Sequence, residues 1–276
     1  MAEVGSSIFE RHEFLIRRLH SLTGLIFGGY VVIHLLTNAS VLGGAAMFQK
    51  NVLAIHGFGP LLPVLEWTFI FLPILFHAVV GILLLFEMIP NTRNYPWEGN
   101  WRYTLQRTTA VILVLFIAWH VFHMHGWFHF DWWLRAIEPM GGHKFRPYNA
   151  ASSAGLALQN GVVALFYGIG VAAGVFHFCN GIWTAGITWG IWTRPMAQRR
   201  ALGLCAVVGI LMLAVGMGAL VGMRKYGAGE EYAQAIATED RMYQAAVEGG
   251  AIAPNEHKRS HRNGDTSQPV VRGESR

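Results

Sequence analysis

The chain has 276 residues, 53% of them hydrophobic and 13% charged, with a formal net charge of +5. That balance excludes an ordinary soluble domain, and the basic residues are scattered among short loops and a polar tail, which argues against a nucleic-acid-binding face. Cys179 and Cys205 both lie in apolar stretches, so neither a disulfide framework nor a thiolate metal site is indicated.

Segment 1–21 carries Glu3, Glu10, Arg11, Glu13, Arg17 and Arg18 and has no small-residue cleavage site behind a short apolar core, so it reads as a retained segment rather than a removed signal. A membrane-spanning helix needs roughly 20 apolar residues, and several stretches meet that test. Helix one is expected over residues 22–41. After a short connection at 51–59, helix two is expected over 61–89, with Glu66 near its start and Pro90 stopping it. A polar connector with Arg93, Glu98 and Arg102 then leads to Arg107 and helix three, over 108–125. Its far end, with Trp127, Phe128, Phe130, Trp132 and Trp133, has the composition of an interfacial aromatic belt. The charge-free stretch 147–193 predicts one long, tilted or protruding helix over 156–189. Helix five follows over 201–223, and beyond it 224–276 reads as a polar tail with a short surface helix over 230–247 and a disordered end from His257. The expected fold is an all-α membrane protein: a five-helix membrane domain over 22–223 whose first four helices form a bundle in the lipid bilayer.

Lys and Arg in short loops set orientation. Arg11, Arg17 and Arg18, then Arg93, Arg102 and Arg107, then Arg194, Arg199 and Arg200 share one side, against Lys50, Arg135, Lys144 and Arg146 on the other. The amino terminus is therefore expected in the cytoplasm, with Arg224 and Lys225 running against the trend.

His34, His77, His120 and His177 fall one in each of the first four helices. A single intramembrane histidine often just hydrogen-bonds a carbonyl, but ionisable groups at membrane depth are costly and usually face a partner. Counted from the outer edge at 1.5 Å per residue, His34 and His120 lie about 10 Å deep and His77 and His177 about 27 Å deep, giving two layers about 15 Å apart. In an up-down-up-down bundle helices one and three are diagonal neighbours, as are two and four, so each layer holds one facing pair. Two facing imidazoles suit the axial positions of a haem iron, and filling both favours electron transfer over oxygen chemistry. Gly81, Gly174 and Gly181 are small residues near these histidines that would admit a flat macrocycle. A di-metal carboxylate site would need more inward acids than Glu66 and Glu87. His123, His125 and His129 read as wet interfacial residues. His56 lies in the outer connection, within reach of a haem propionate or a quinone, while Arg17 and His20 at the inner interface can pair with propionates or simply reflect the positive-inside bias.

Five strings are more specific: Arg17-Arg18-Leu19-His20-Ser21-Leu22-Thr23-Gly24, Phe76-His77-Ala78-Val79-Val80-Gly81, Leu105-Gln106-Arg107-Thr108, Trp119-His120-Val121 and Phe176-His177-Phe178-Cys179-Asn180-Gly181-Ile182-Trp183. In this order, over about 14–221, they resemble the cytochrome b558 membrane subunit of succinate dehydrogenases of the single-anchor, two-haem type. The resemblance implies five helices, two haem b groups held by His34 with His120 and His77 with His177, and flavoprotein and iron-sulfur subunits docked on the cytoplasmic face of a bacterial inner membrane. It also implies electron transfer to a membrane quinone, with menaquinone the type often paired with two-haem anchors. Glu66 precedes His77 by 11 residues, nearly three turns, so it is expected on the same face, about 16 Å away near the outer layer, where a carboxyl can pass protons to a quinone or merely favour the helix start. A fumarate reductase anchor running the reaction in reverse, a haem-free anchor and a histidine-based transporter remain the other readings at this point.

Overall fold

The computed structural model describes residues 8–87 and 89–260. Among these residues there are helices and turns but no strand. Five helices are long and apolar enough to cross a membrane, and most of their side chains face outward, as expected where lipid rather than protein covers them. The first, α1 (Ile8–Ala39), ends in a tight turn over Ser40–Gly43, and Gly44, at φ 111°, reverses the chain. What the sequence predicts as a connection around 51–59 begins inside a helix, α2 (Ala45–His56). Only part of its surface is apolar, so it lies on the bundle end with Phe48, Gln49 and Val52 buried beneath it.

The second span, α3 (Gly59–Leu85), contains a wide π-turn over Trp67–Phe71, where the Leu72 amide reaches back to the Trp67 carbonyl. Pro73 accounts for it locally: it has no N–H to donate and its ring crowds the carbonyl four residues earlier. The third span, α4 (Glu98–His125), begins ten residues before the predicted start at 108, because nothing from Glu98 onward breaks a helix. Arg102 and Arg107 thus lie on the helix rather than in a connector, with guanidinium groups 3.9 Å above the Trp183 ring and 3.4 Å above the Tyr103 ring. At its other end α4 widens into a second π-turn, Val121–His125, closed by Gly126 in the left-handed conformation. The carbonyls of Phe122, His123 and Met124 accept the amides of His143, Lys144 and Phe145 at 3.1, 2.8 and 3.1 Å, so a returning loop caps this helix end.

That loop contains α5 (Asp131–Ile137) and leads to α6 (Ala150–Ala157). The single helix expected over 156–189 is therefore two: the chain breaks at Leu158 to Asn160, and α7 (Gly161–Thr188) starts afresh with the Asn160 side chain accepting the Val162 and Val163 amides. The break lets α6 turn onto the bundle end, where Gly155 packs directly on the Gly227 backbone. The fifth span is α8 (Pro195–Lys225), and it is followed by α9 (Gly229–Glu248), close to the surface helix expected over 230–247. The end expected to be disordered from His257 is instead folded as far as Ser260, in a tight turn over Glu256–Lys258 with Arg259 paired to Asp240, because α9 supplies partners for it; from position 261 it lies outside the described residues.

In the bundle α7 packs against α4 and α8, α1 against α3, α7 and α8, while α3 and α4 scarcely touch. Across the end far from residue 8, the distal end, α2, α6 and α9 form a second layer. Its centre is polar and closed to solvent: Gln49, Asn149, Ser152 and Glu239 are each 0% exposed. The open amides of α6 are met by side chains from both neighbours. Gln49 accepts the Ala150 amide at 2.8 Å, and Glu239 accepts the Ala151 and Ser152 amides at 2.6 and 3.2 Å and the Ser152 hydroxyl at 2.5 Å.

Burial pushes the Glu239 carboxyl up to about 7 from its ordinary 4.5, although the amides and hydroxyl favour its charged form. The folded layer then holds this proton more tightly than the unfolded chain does. Its contribution to stability is fullest below the ordinary carboxyl value and is lost as pH rises through about 7, on the order of 3 kcal/mol in all. Proteolytic nicking within α9 should therefore accelerate between about pH 5 and about pH 8, and Glu239→Gln, which keeps the acceptor, should flatten that dependence. Equal pH dependence in both proteins would contradict it.

Candidate functional site

The four histidines form two facing pairs. Nearer residue 8, His77 of α3 and His177 of α7 have ring centres 6.1 Å apart with planes at 87°. Towards the distal end, His34 of α1 and His120 of α4 lie 6.0 Å apart at 79°. These are not the closely packed helix pairs of the bundle, so each ring pair bridges helices whose backbones stand apart.

Each ring is held through Nδ1. His77 Nδ1 donates to the His20 carbonyl at 2.9 Å. His177 Nδ1 donates to the Gln106 carbonyl at 3.1 Å beside the Thr109 hydroxyl at 3.3 Å, and Gln106 returns a bond to the His177 carbonyl and accepts one from Asn180. His34 Nδ1 meets the Tyr30 hydroxyl at 3.4 Å and His120 Nδ1 meets that of Tyr167 at 3.2 Å. For His77 and His177 the carbonyl partner makes Nδ1 the donor and leaves the lone pair on Nε2, the usual preparation of a histidine for a metal, while the tyrosine hydroxyls orient the rings of His34 and His120. Two imidazoles each about 2 Å from a shared metal ion would have ring centres roughly 6 Å apart, the spacing found in both layers. The geometry and donor set can therefore fill both axial positions of a haem iron, twice.

The surroundings of the first pair are cationic. Arg18 Nε, His20 Nδ1, Arg102 Nη1 and Arg107 Nε are buried without a hydrogen-bond partner, a donor set suited to carboxylates such as propionates. His20 stacks on His77 at 4.0 Å. Arg17, in contrast, is engaged by Glu13 and Glu87, at 2.7 Å each. The glycines closest to the rings also differ from those singled out in the sequence. Gly81 faces His20, and Gly174 and Gly181 face Leu113 and Gln106, whereas a Cβ on Gly24 would lie 2.5 Å from the His77 ring. Gly24 is what lets α1 approach the ligand on α3.

Glu66 is half-buried in the turn before the first π-segment and takes no hydrogen bond among the described residues. The π-turn that follows it packs against α1, which carries Tyr30 and His34. Both π-turns thus flank the distal pair, one following Glu66 and the other following His120, in keeping with the frequent use of such turns at functional sites. His123 is not the wet interfacial residue expected: it is 7% exposed, stacked on Trp119 at 4.5 Å and bonded to the Tyr167 hydroxyl at 2.9 Å. Tyr167 therefore bridges His120 and His123. His56 donates to the Val52 carbonyl and meets Tyr148 edge-on at 5.8 Å, and His125 lies against His129 at 4.3 Å. Among the described residues no group of three or more metal-binding side chains converges elsewhere.

Tyr30 could have been found in the sequence, since it precedes His34 by one helical turn. Tyr167, Thr109 and Gln106 could not, because each reaches its histidine across the bundle. No protein-family model matches the chain. The succinate dehydrogenase cytochrome b558 subunit of Bacillus subtilis (strain 168) is 33% identical over 209 residues, covering 75% of this chain and 96% of that protein. With five candidate spans around the paired histidines, this multi-pass, all-α membrane protein belongs to the succinate dehydrogenase cytochrome b558 subunit family.

Proposed function

We propose that the chain anchors a succinate:quinone oxidoreductase and holds two haem b groups, one between His34 and His120 and one between His77 and His177. The observation that carries this reading is the repeated facing pair, with ring centres 6.0 and 6.1 Å apart and every Nδ1 already engaged. Bound there, haem would supply one-electron carriers between the soluble subunits and a membrane quinone, with menaquinone the type that the resemblance favours.

The residues of this chain have separable tasks. The four histidines bind and tie diagonal helices together. The unpartnered nitrogens of Arg18, His20, Arg102 and Arg107 would donate to the propionates of the first group, with Arg17 acting at longer range through its pairs with Glu13 and Glu87. Glu66 would hold and pass protons to a quinone near the distal pair, because reduction by two electrons requires uptake of two protons and Glu66 immediately precedes the π-turn that packs against α1, the helix of His34. The end of the bundle that includes Arg17, Arg93, Arg107 and Arg194 to Arg200 would face the cytoplasm and receive the flavoprotein and iron-sulfur subunits, since its short basic loops satisfy the positive-inside rule. Residues 1–7 of that surface lie outside the described residues.

Replacing any one of the four histidines by Ala should abolish or convert one low-spin haem signal in the reduced-minus-oxidised spectrum and weaken assembly, whereas His129→Ala should retain both. Two unchanged low-spin signals in His34→Ala would remove that residue from the ligand set. Tyr167→Phe should keep both haems and move the redox potential of the distal one alone, because it deletes a bond to His120.

Glu66→Gln, with both haems present, should lower succinate-to-quinone turnover at least tenfold while an artificial acceptor still draws electrons from the soluble subunits; removing one acid-base group costs about 100-fold or more where it is essential. Unchanged quinone turnover would return Glu66 to a helix-start role. Crosslinks from the soluble subunits should map to the Arg93 to Arg107 and Arg194 to Arg200 segments; crosslinks concentrated on Arg135 to Arg146 would reverse the orientation.

A further inference from the structure

Tyr167 reaches from α7 to two histidines of α4 at once, with its hydroxyl 3.2 Å from His120 Nδ1 and 2.9 Å from His123 Nδ1. A hydroxyl has one proton to give, so it can donate to only one of the two rings. If both rings donated to its oxygen, that proton would be left without an acceptor among the described residues, in a side chain only 7% exposed, and a buried, unused donor is costly. One imidazole therefore donates to Tyr167 and the other accepts from it. With Nε2 of His120 given to an iron, the proton of its neutral ring is on Nδ1. The chain then runs from His120 Nδ1 to the Tyr167 oxygen, and from the Tyr167 hydroxyl to His123 Nδ1.

His123 is held in that place from two directions. It lies in the π-turn that follows His120, where its carbonyl accepts the Lys144 amide at 2.8 Å and its ring stacks on Trp119 at 4.5 Å with planes 13° apart. Phe116 and Trp119 pack on the Tyr167 ring at 5.6 and 5.4 Å, and Gly170 leaves room for Phe116, whose ring a Cβ there would strike. The pair nearer residue 8 has no such relay, since His77 and His177 donate to backbone carbonyls.

We infer that His123 is a positioning residue for the distal haem: by accepting the Tyr167 proton it turns the Tyr167 oxygen towards His120 and strengthens that oxygen as an acceptor. The inference deepens the proposed function and rests on ligation by His120. A hydrogen bond accepted from Nδ1–H makes an imidazole more basic towards its metal, which favours ferric over ferrous iron and lowers the potential. A hydroxyl that gives its own proton to a neighbour accepts better, because linked hydrogen bonds polarise one another. His123 thus lowers the distal potential through Tyr167 and leaves the other haem as it is.

The test is a redox titration of the complete complex in its membrane, each haem being followed in the reduced-minus-oxidised spectrum. His123→Phe keeps a ring for Trp119 and removes the acceptor. It should shift the distal reduction equilibrium about threefold towards the ferrous form, roughly 30 mV at about 59 mV per tenfold, near the low end of one hydrogen bond's net worth. His123→Asn, whose amide oxygen can stand in for Nδ1, should restore most of the original potential, and on a Tyr167→Phe background His123→Phe should add nothing. No shift in His123→Phe while Tyr167→Phe raises the potential overturns the role of His123 and leaves that of Tyr167; no shift in either overturns both. An equal shift with and without the Tyr167 hydroxyl, a shift of both haems, or an Asn variant no better than the Phe variant also overturns the inference, since His123 would then act by packing or by its own field. Where His123→Phe does not assemble, His123→Leu set against His123→Asn makes the same comparison. Two unchanged low-spin signals in His120→Ala would instead remove the ligand on which the inference stands.

Discussion

In hydrocarbon a polar side chain has no water to turn to, and the histidines inside this bundle obey that constraint twice over. One nitrogen of each ring is already committed, to a carbonyl in the pair near residue 8 and to a tyrosine hydroxyl in the distal pair. What is left on each ring is a single nitrogen, and the two left in each layer belong to helices that do not otherwise pack closely. The ring pairs therefore bridge the helices that the apolar contacts of α7 with α4 and α8, and of α1 with α3, leave apart. The bundle's close backbone approaches occur where side chains are smallest, as at Gly24 against His77.

The two ends of the bundle solve the problem of open backbone groups differently. Near residue 8, long cationic side chains lie over aromatic rings, Arg18 on Phe14 and Trp189 and Arg102 on Trp183, keeping their stems in apolar surroundings. At the distal end the backbone is irregular, with two π-turns and a broken helix, and the end of α4 and the start of α6 are met by donors or acceptors from elsewhere. The loop at 143–145 caps α4, and Gln49 and Glu239 cap α6. Irregular backbone at such a position is tolerated where protein encloses it, and one of the π-turns directly follows Glu66, for which proton transfer is proposed.

Much of this was legible in the sequence, and the failures have identifiable causes. Charge-free length located all five spans, and depth counting paired His34 with His120 and His77 with His177, because helical rise converts position into distance with little ambiguity. Local competition was not legible. The uncharged run 147–193 looked uniform, yet Asn160 could cap a new helix and Glu239, some 80 residues later, could satisfy the start of another, so the chain broke there. Charge alone puts Arg102 in a connector, whereas the Trp183 ring beneath it makes the helix position acceptable. His123 reads as wet because it lies in an aromatic stretch at the outer interface, yet it is buried by Trp119 and Tyr167. Contacts of this kind depend on partners far along the chain, which a period or a composition does not encode.

The diagonal arrangement also bears on how such a chain is made. Spans enter a membrane in order, and the ring pairs interleave: the first span waits for the third, and the second waits for the fourth. Neither pair can close inside a two-helix hairpin. A nascent anchor with two spans inserted carries two unmatched imidazoles, and with three it has completed one layer while His77 still lacks its counterpart. Only the emergence of α7 completes the set, so the last of the four histidines to be synthesised closes the layer nearest the amino-terminal end.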